Sequence, residues 1–203
     1  MNLAVDEGYI KFSLSMSDGD IPKNKNWNNL NQARNKLHSF NLIGVYPDGI
    51  GFGNVSIRHQ DKEFIITGSA TGGKKDLSIR DYCLVRSFDL ERNQVEAVGR
   101  TKASSESMTH GAIYSANEEI RSVIHFHQKR IFDSLLNNGA PKTEKSIQYG
   151  TPQMGLAMKE MVQKSSLSNG FLVTEGHDEG VFVYAQSIEV ALTQSLQLRK
   201  NYL

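Results

Sequence analysis

The run Ser122-Val123-Ile124-His125-Phe126-His127, preceded by Ala103-Ser104-Ser105-Glu106-Ser107-Met108-Thr109-His110, organises this chain. Successive side chains of an extended strand point to opposite faces, so His125 and His127 share one face and form a two-toothed clamp for a metal ion. Upstream, Glu106 stands at the start of an expected helix. Downstream, Gly176-His177-Asp178-Glu179-Gly180 adds a histidine and two carboxylates, enough to complete a site with one position left open. A lone His-x-His pair is more often two part-buried histidines satisfied by backbone carbonyls. The Ser-Ser-Glu element and the His177 cluster set a metal enzyme beside it as the competing reading.

Two loops around that centre have the composition of ligand cradles. Tyr46-Pro47-Asp48-Gly49-Ile50-Gly51-Phe52-Gly53-Asn54-Val55-Ser56 is dense in glycine and runs into a strand expected over 54–59. Its glycines let backbone amides approach a ligand unobstructed, and Asn54 and Ser56 add neutral donors, although a hairpin corner is the simpler reading of that loop by itself. The strand Glu63-Phe64-Ile65-Ile66 empties into Thr67-Gly68-Ser69-Ala70-Thr71-Gly72-Gly73-Lys74-Lys75. Hydroxyls, amides and two lysines suit an anion there, while the Gly-Lys-Ser/Thr ending of a P-loop is absent and a solvated turn competes. Ser104 or Ser105 is placed to cap the helix carrying Met108, Ala112, Ile113 and Ala116. Glu106 falls in its first turn, where a carboxylate also complements the helix dipole. His110 and Tyr114, four apart on that helix, read as a packing or hydrogen-bonding pair.

Elsewhere, Ile10, Phe12, Leu14 and Met16 alternate with polar neighbours and predict a half-buried strand over 9–16. A polar loop leads to a helix at about 28–41 carrying Leu30, Ala33, Leu37 and Phe40, with Gly44 as its stop. Residues 82–88 and 94–98 predict a hairpin around Leu90-Glu91-Arg92-Asn93. Ile131, Phe132, Leu135 and Leu136 mark a short helix, and Thr151-Pro152 opens another whose stripe holds Met154, Met158 and Val162. Strands over 171–174 and 181–184 flank the His177 cluster, and Ser187 caps a last helix.

With 203 residues the chain can bury one sizeable core, and a single domain over 1–203 is expected, residues 1–25 forming an N-terminal strand and loop extension. Its 23 basic and 22 acidic residues leave a net charge of +1, which argues against nucleic acid or a membrane surface and for a small-molecule substrate. The opening MNLAVDEGYIKFSLS lacks a basic head before an apolar core, so no secretory signal is expected, nor is any stretch long and apolar enough to span a bilayer. The single cysteine, Cys83, beside Leu84 and Val85, reads as a buried strand residue, and its solitude fits a reducing cytoplasm.

In order along the chain, GFGNVS (51–56), ITGSATGG (66–73), ASSESMTHGAIY (103–114), VIHFHQK (123–129) and GHDEGVF (176–182) resemble the class II aldolase/adducin family. The resemblance runs from the helix near residue 30 to the last helix. It implies an α/β fold of three layers, α/β/α, around a central, mainly antiparallel sheet, and a homo-oligomer, a tetramer being favoured, with sites at subunit interfaces. It also implies that His125 and His127 bind a divalent metal, typically zinc, and that Glu106 is the catalytic acid/base. Gly53, Asn54, Ser56, Thr71, Gly72, Ser104 and Ser105 would surround a substrate phosphate or carboxylate. Tyr149 resembles the tyrosine these aldolases use as a proton donor across the interface. Members usually carry His-Gly before the last helix, that histidine being the third ligand, where this chain has His177-Asp178-Glu179-Gly180. Either an insertion has moved the ligand to His177, which we favour because nitrogen suits zinc, or Glu179 replaces it. The activity implied is a zinc-dependent lyase of aldolase type, cleaving a small sugar or keto-acid, phosphorylated or not, through a metal-stabilised enediolate. A dehydratase (one acting on methylthioribulose phosphate belongs to this family) or an epimerase would use the same intermediate. An adducin-like interaction module without catalysis is the reading from another class.

Overall fold

Along residues 8–22 and 25–203, which the computed structural model describes, the chain runs β1 (Ser13–Ser17), α1 (Lys25–Ser39), β2 (Gly44–Val45), β3 (Gly51–Phe52), β4 (Asn54–Arg58), β5 (Phe64–Thr67), β6 (Tyr82–Asp89) and β7 (Gln94–Gly99). It continues through α2 (Ser107–Ala116), β8 (Ser122–His127), α3 (Lys129–Asn137), α4 (Pro152–Ser165), β9 (Gly170–Val173), β10 (Gly180–Ala185) and α5 (Ile188–Tyr202). Residues 1–7 and 23–24, parts of the expected N-terminal extension, lie outside the described residues.

Eight strands form one sheet in the order β1-β7-β6-β5-β4-β8-β10-β9, antiparallel except for the β1–β7 pair. Strands covered on both faces send alternate residues into opposite layers. Ile124, Phe126, Val181 and Val183 pack with Leu30 and Leu37 of α1, Ile131 and Leu135 of α3 and Ala191 of α5. Val123, Phe182 and Tyr184 pack on the other side with Met108 and Ile113 of α2 and Met154 and Met158 of α4. The result is the three-layer α/β/α fold. Burial of each such aliphatic or aromatic side chain contributes about 1.5–3 kcal/mol. Strand β8 lies deep in the sheet with all six residues buried, so the histidine pair rests on a rigid support.

Local signals explain most element ends. The Thr151 hydroxyl accepts from Met154 N–H at 3.3 Å with Pro152 opening α4, and the Ser187 hydroxyl accepts from Val190 N–H at 3.3 Å to cap α5. Three expectations need correction. The first strand covers 13–17 rather than 9–16, because the chain at Tyr9 turns aside and donates its N–H to the Tyr149 hydroxyl at 3.1 Å. Helix α1 is stopped by Asn41, left-handed at φ 55°, with Leu42 N–H closing on Leu37 C=O at 3.1 Å; Gly44 pairs in β2 instead. Glu106 occupies the N-cap position of α2, and the Ser104 hydroxyl accepts from Glu106 N–H at 3.3 Å. Among the described residues no helix is long and apolar enough to cross a membrane.

Candidate metal centre and anion cradle

The pleat of β8 turns His125 and His127 toward the α2 and α4 layer, with Nε2 of one 3.0 Å from Nε2 of the other. His177 reaches them from the turn between β9 and β10, and the ligating nitrogens of the three lie within 4.8 Å of one another. That turn is held by His177 N–H to Thr174 C=O at 2.8 Å and Gly180 N–H to His177 C=O at 3.0 Å. Glu106 brings its carboxylate to 3.6 Å from His177 Nδ1. All four side chains are buried, none more than 5% exposed. Burial, then the neighbouring imidazoles, pushes His125 well below the usual histidine range; burial and His177 do the same to His127. Neutral imidazole is the ligating form. With its Nδ1 donating to Val181 C=O at 3.2 Å, His125 presents an unprotonated Nε2 to the site. Nitrogen-to-metal bonds of about 2.0–2.1 Å in a tetrahedron put nitrogens roughly 3.3 Å apart. The His125–His127 pair at 3.0 Å is close to that spacing, and the three neutral imidazoles, within 4.8 Å of one another, are the donor type a divalent cation takes.

Aromatic and polar groups enclose this cluster. The Phe182 ring stacks on His125 with centroids 4.0 Å apart. Tyr149 stacks on His177 at 4.6 Å, with Lys11 Nζ 4.0 Å over the tyrosine ring. Tyr149 thus lies over a histidine of its own chain. Glu179 stands apart from the three nitrogens; its carboxylate lies 3.3 Å from the hydroxyl of Tyr46, which is 2.7 Å from His127 Nδ1. Burial raises the Glu179 carboxyl, against the Tyr46 hydrogen bond that lowers it.

Beside the histidines, Gly53, Asn54, Thr71, Gly72, Ser104 and Ser105 line a small pocket of about 30 Å³ with Gly8 at its edge. The loops meet backbone to backbone: a Cβ on Gly72 would stand 2.1 Å from Gly44 C=O. Behind them, Arg34 of α1 donates to Thr71 C=O at 2.9 Å, Gly72 C=O at 3.2 Å and Lys75 C=O at 2.9 Å. In a trans peptide the N–H opposes the C=O, so the amides of Gly72 and Gly73 point away from the guanidinium. The Asn54 carboxamide is buried there too; its oxygen, an acceptor, has no hydrogen-bond partner, so its NH2 is the group that can serve an anion. Ser56 departs from expectation. It lies one pleat deeper, its hydroxyl 2.7 Å from both His110 Nδ1 and the Tyr114 hydroxyl, outside the pocket. Lys74 pairs with Asp81 at 2.5 Å on the exposed side. A larger cavity of about 290 Å³, at the starts of α1 and α5, is far from this chemistry; its Arg58 already donates to the carbonyls of Ile120, Asp61, Tyr114 and Asn117.

Sequence reasoning missed Arg34 and Tyr46. An arginine between Leu30 and Leu37 on the buried stripe of α1 was a signal in plain view, since a cation on an apolar face needs partners. Tyr46 carries no such local mark.

A model of the class II aldolase and adducin N-terminal domain matches residues 48–201. The chain belongs to the class II aldolase/adducin family. Solved structures share its fold at low identity. YgbL of Klebsiella pneumoniae superposes with a TM-score of 0.65 at 15% identity, covering 87% of this chain and 86% of that one. An L-fuculose 1-phosphate aldolase gives 0.58 at 17%, covering 90% and 89%. A sugar-phosphate aldolase of Thermotoga maritima gives 0.59 at 15%, covering 84% and 91%. Curated proteins give no match to the sequence. Class II aldolases are generally dependent on a divalent metal, and in this family member His125, His127 and His177 could hold one.

Proposed function

We propose that this class II aldolase family chain is a metal-dependent lyase of aldolase type, with zinc as the favoured ion, acting on a small phosphorylated sugar or keto-acid. The observation that carries the reading is the convergence of three buried imidazoles and the Glu106 carboxylate next to a cradle of backbone amides. His125, His127 and His177 hold the cation. When bound, it supplies Lewis acidity that withdraws electron density from a carbonyl oxygen. Gly53, Asn54, Thr71, Gly72, Ser104 and Ser105 bind the anionic end of the substrate through amides and hydroxyls, and Arg34 keeps the loop that bears those amides in place. Glu106 takes the proton of the substrate hydroxyl as the carbon–carbon bond breaks and its electron pair moves toward the carbonyl. Tyr149, held by Tyr9 N–H and by its stack on His177, returns a proton to the carbon released. The burial of the four central side chains keeps bulk water away from that carbanion.

The same residues serve loss of water or epimerisation, so the deciding experiment reads products. Zinc-loaded protein is incubated with a panel of phosphorylated ketoses and the products are separated. Shortened carbon chains support the lyase; loss of water or inversion of a centre with the skeleton intact replaces it with a dehydratase or an epimerase. Protein that takes up no divalent metal on titration would be an interaction module. The family resemblance also supports a homotetramer, which light scattering addresses, and the single, buried Cys83 fits a reducing cytoplasm.

A further inference from the structure

Three groups sit behind His127, on the side away from His125. The Tyr46 hydroxyl lies 2.7 Å from His127 Nδ1 and 3.3 Å from Glu179 Oε2, and Phe52 packs on both rings, 4.6 Å from Tyr46 and 5.7 Å from His127 between centroids. Ligation through Nε2 requires the imidazole proton on Nδ1, where it is a donor. The Tyr46 oxygen can accept from Nδ1–H only when its own hydrogen is directed elsewhere, and the Glu179 carboxylate accepts it at 3.3 Å. The alternative order has Tyr46 donating to Nδ1 and the proton on Nε2, aimed at His125 Nε2 3.0 Å away. That order closes the site to a cation.

We infer that Tyr46 and Glu179 form a relay that holds His127 in its metal-binding tautomer, so that Glu179 is a positioning residue for the cation and not its ligand. This rests on the metal site proposed above. The loop is built for the division of labour. Glu179 has a left-handed backbone, φ 66°, and its C=O accepts from Gln128 N–H at 3.3 Å, directly after His127. A Cβ on Gly180 would stand 2.4 Å from Thr174 Oγ1, so the turn has little room to change. One short segment therefore sends His177 inward to the site and Glu179 outward to the back of His127, with exposed Asp178 between them 3.9 Å from Lys129. The His177-Asp178-Glu179-Gly180 spacing acquires a purpose that a plain His-Gly turn could not serve.

The test measures zinc affinity by competition with a chromophoric chelator, and the visible spectrum of the cobalt-substituted protein. Tyr46→Phe, which keeps the ring, and Glu179→Ala should each weaken zinc by about 10- to 100-fold and alter the cobalt spectrum at saturation, and Glu179→Gln, which keeps an acceptor oxygen, should recover most of the affinity. The double variant should be no weaker than the weaker single, since either break ends the relay. Affinity of Tyr46→Phe within about twofold of the parent, or an additive double variant, would overturn the relay. Should Tyr46→Phe fail to fold, Glu179→Ala and Glu179→Gln decide the question alone. His127→Ala separates the two readings: if it binds zinc as tightly as the parent, the metal site itself is wrong and the relay falls with it. If it loses zinc while the relay variants do not, only the relay is wrong.

Discussion

Nε2 of His125 and Nε2 of His127 face each other across 3.0 Å inside a closed layer of the protein. Two neutral imidazoles so placed share either a proton or a cation. Replacing His125 with alanine removes one nitrogen and keeps the strand, whose other residues Val123, Ile124 and Phe126 anchor it in both layers. His125→Ala should lose zinc affinity by more than the 10- to 100-fold that an outer partner costs. Elemental analysis after desalting checks the metal, and circular dichroism checks that the fold persists.

Glu106 approaches His177 at 3.6 Å without being one of the three nitrogens. Glu106→Gln keeps the shape and removes the base. The variant should retain full metal and lose turnover by about 10²- to 10⁴-fold. Metal content measured beside steady-state rates separates this from a ligand, which would lose both.

His110 is fully buried, its Nδ1 on Ser56 and its ring edge to Phe182, and burial lowers its pKa to about 3. A depressed folded value means that the unfolded chain takes up a proton first, near pH 6.5, so stability is complete above that pH and falls as the pH drops toward 3. The loss approaches about 1.4 kcal/mol per pH unit and sums to the order of 5 kcal/mol. Urea denaturation of metal-free protein between pH 7 and pH 4, at about one-unit steps, should show a shallower slope for His110→Asn than for the parent, the difference isolating this ring from the other buried histidines.

Gly72 passes so close to Gly44 that a methyl group has no place to go, since the obstacle is backbone. Gly72→Ala should cost about 1–3 kcal/mol in denaturation and weaken the binding of inorganic phosphate. Phosphate binding unchanged in a folded variant would remove this loop from the anion site.

Arg34 gathers three carbonyls with one planar fork. Arg34→Met leaves those acceptors buried and should destabilise the protein by about 2–3 kcal/mol, with KM for a phosphorylated substrate rising more than kcat falls. Arg34→Lys should not restore KM, because a single ammonium cannot span the same three oxygens.

The outline of the fold was legible wherever a local rule decides. Short apolar runs marked β8 and β10, Thr151-Pro152 and Ser187 marked the starts of α4 and α5, and the Leu90–Asn93 turn marked the β6–β7 hairpin. Local rules gave way where a distant partner outbid them. Tyr9 leaves the first strand for Tyr149, 140 residues on, and Asn41 ends α1 before Gly44 because Gly44 is claimed by Phe52. In the site, the histidine pair could be read from alternation, and the gathering of His177 with it followed from the ordered motifs. The commitment of Ser56 to His110 and Tyr114 could not be read, since a strand pattern says which face a hydroxyl takes but not how deep the neighbouring helix sits. Tyr46 belongs to the same class, since it acts through a ring brought near only by tertiary packing, whereas Arg34 was marked as a cation on an apolar stripe and only its carbonyl partners were hidden.

His125 takes its two strand neighbours from remote stretches of polypeptide, Asn54 on one side and Phe182 on the other. During synthesis both imidazoles leave the ribosome well before β10 exists, and pairings between such distant segments form late. A nascent chain therefore has no finished nest for a cation until its final strand docks.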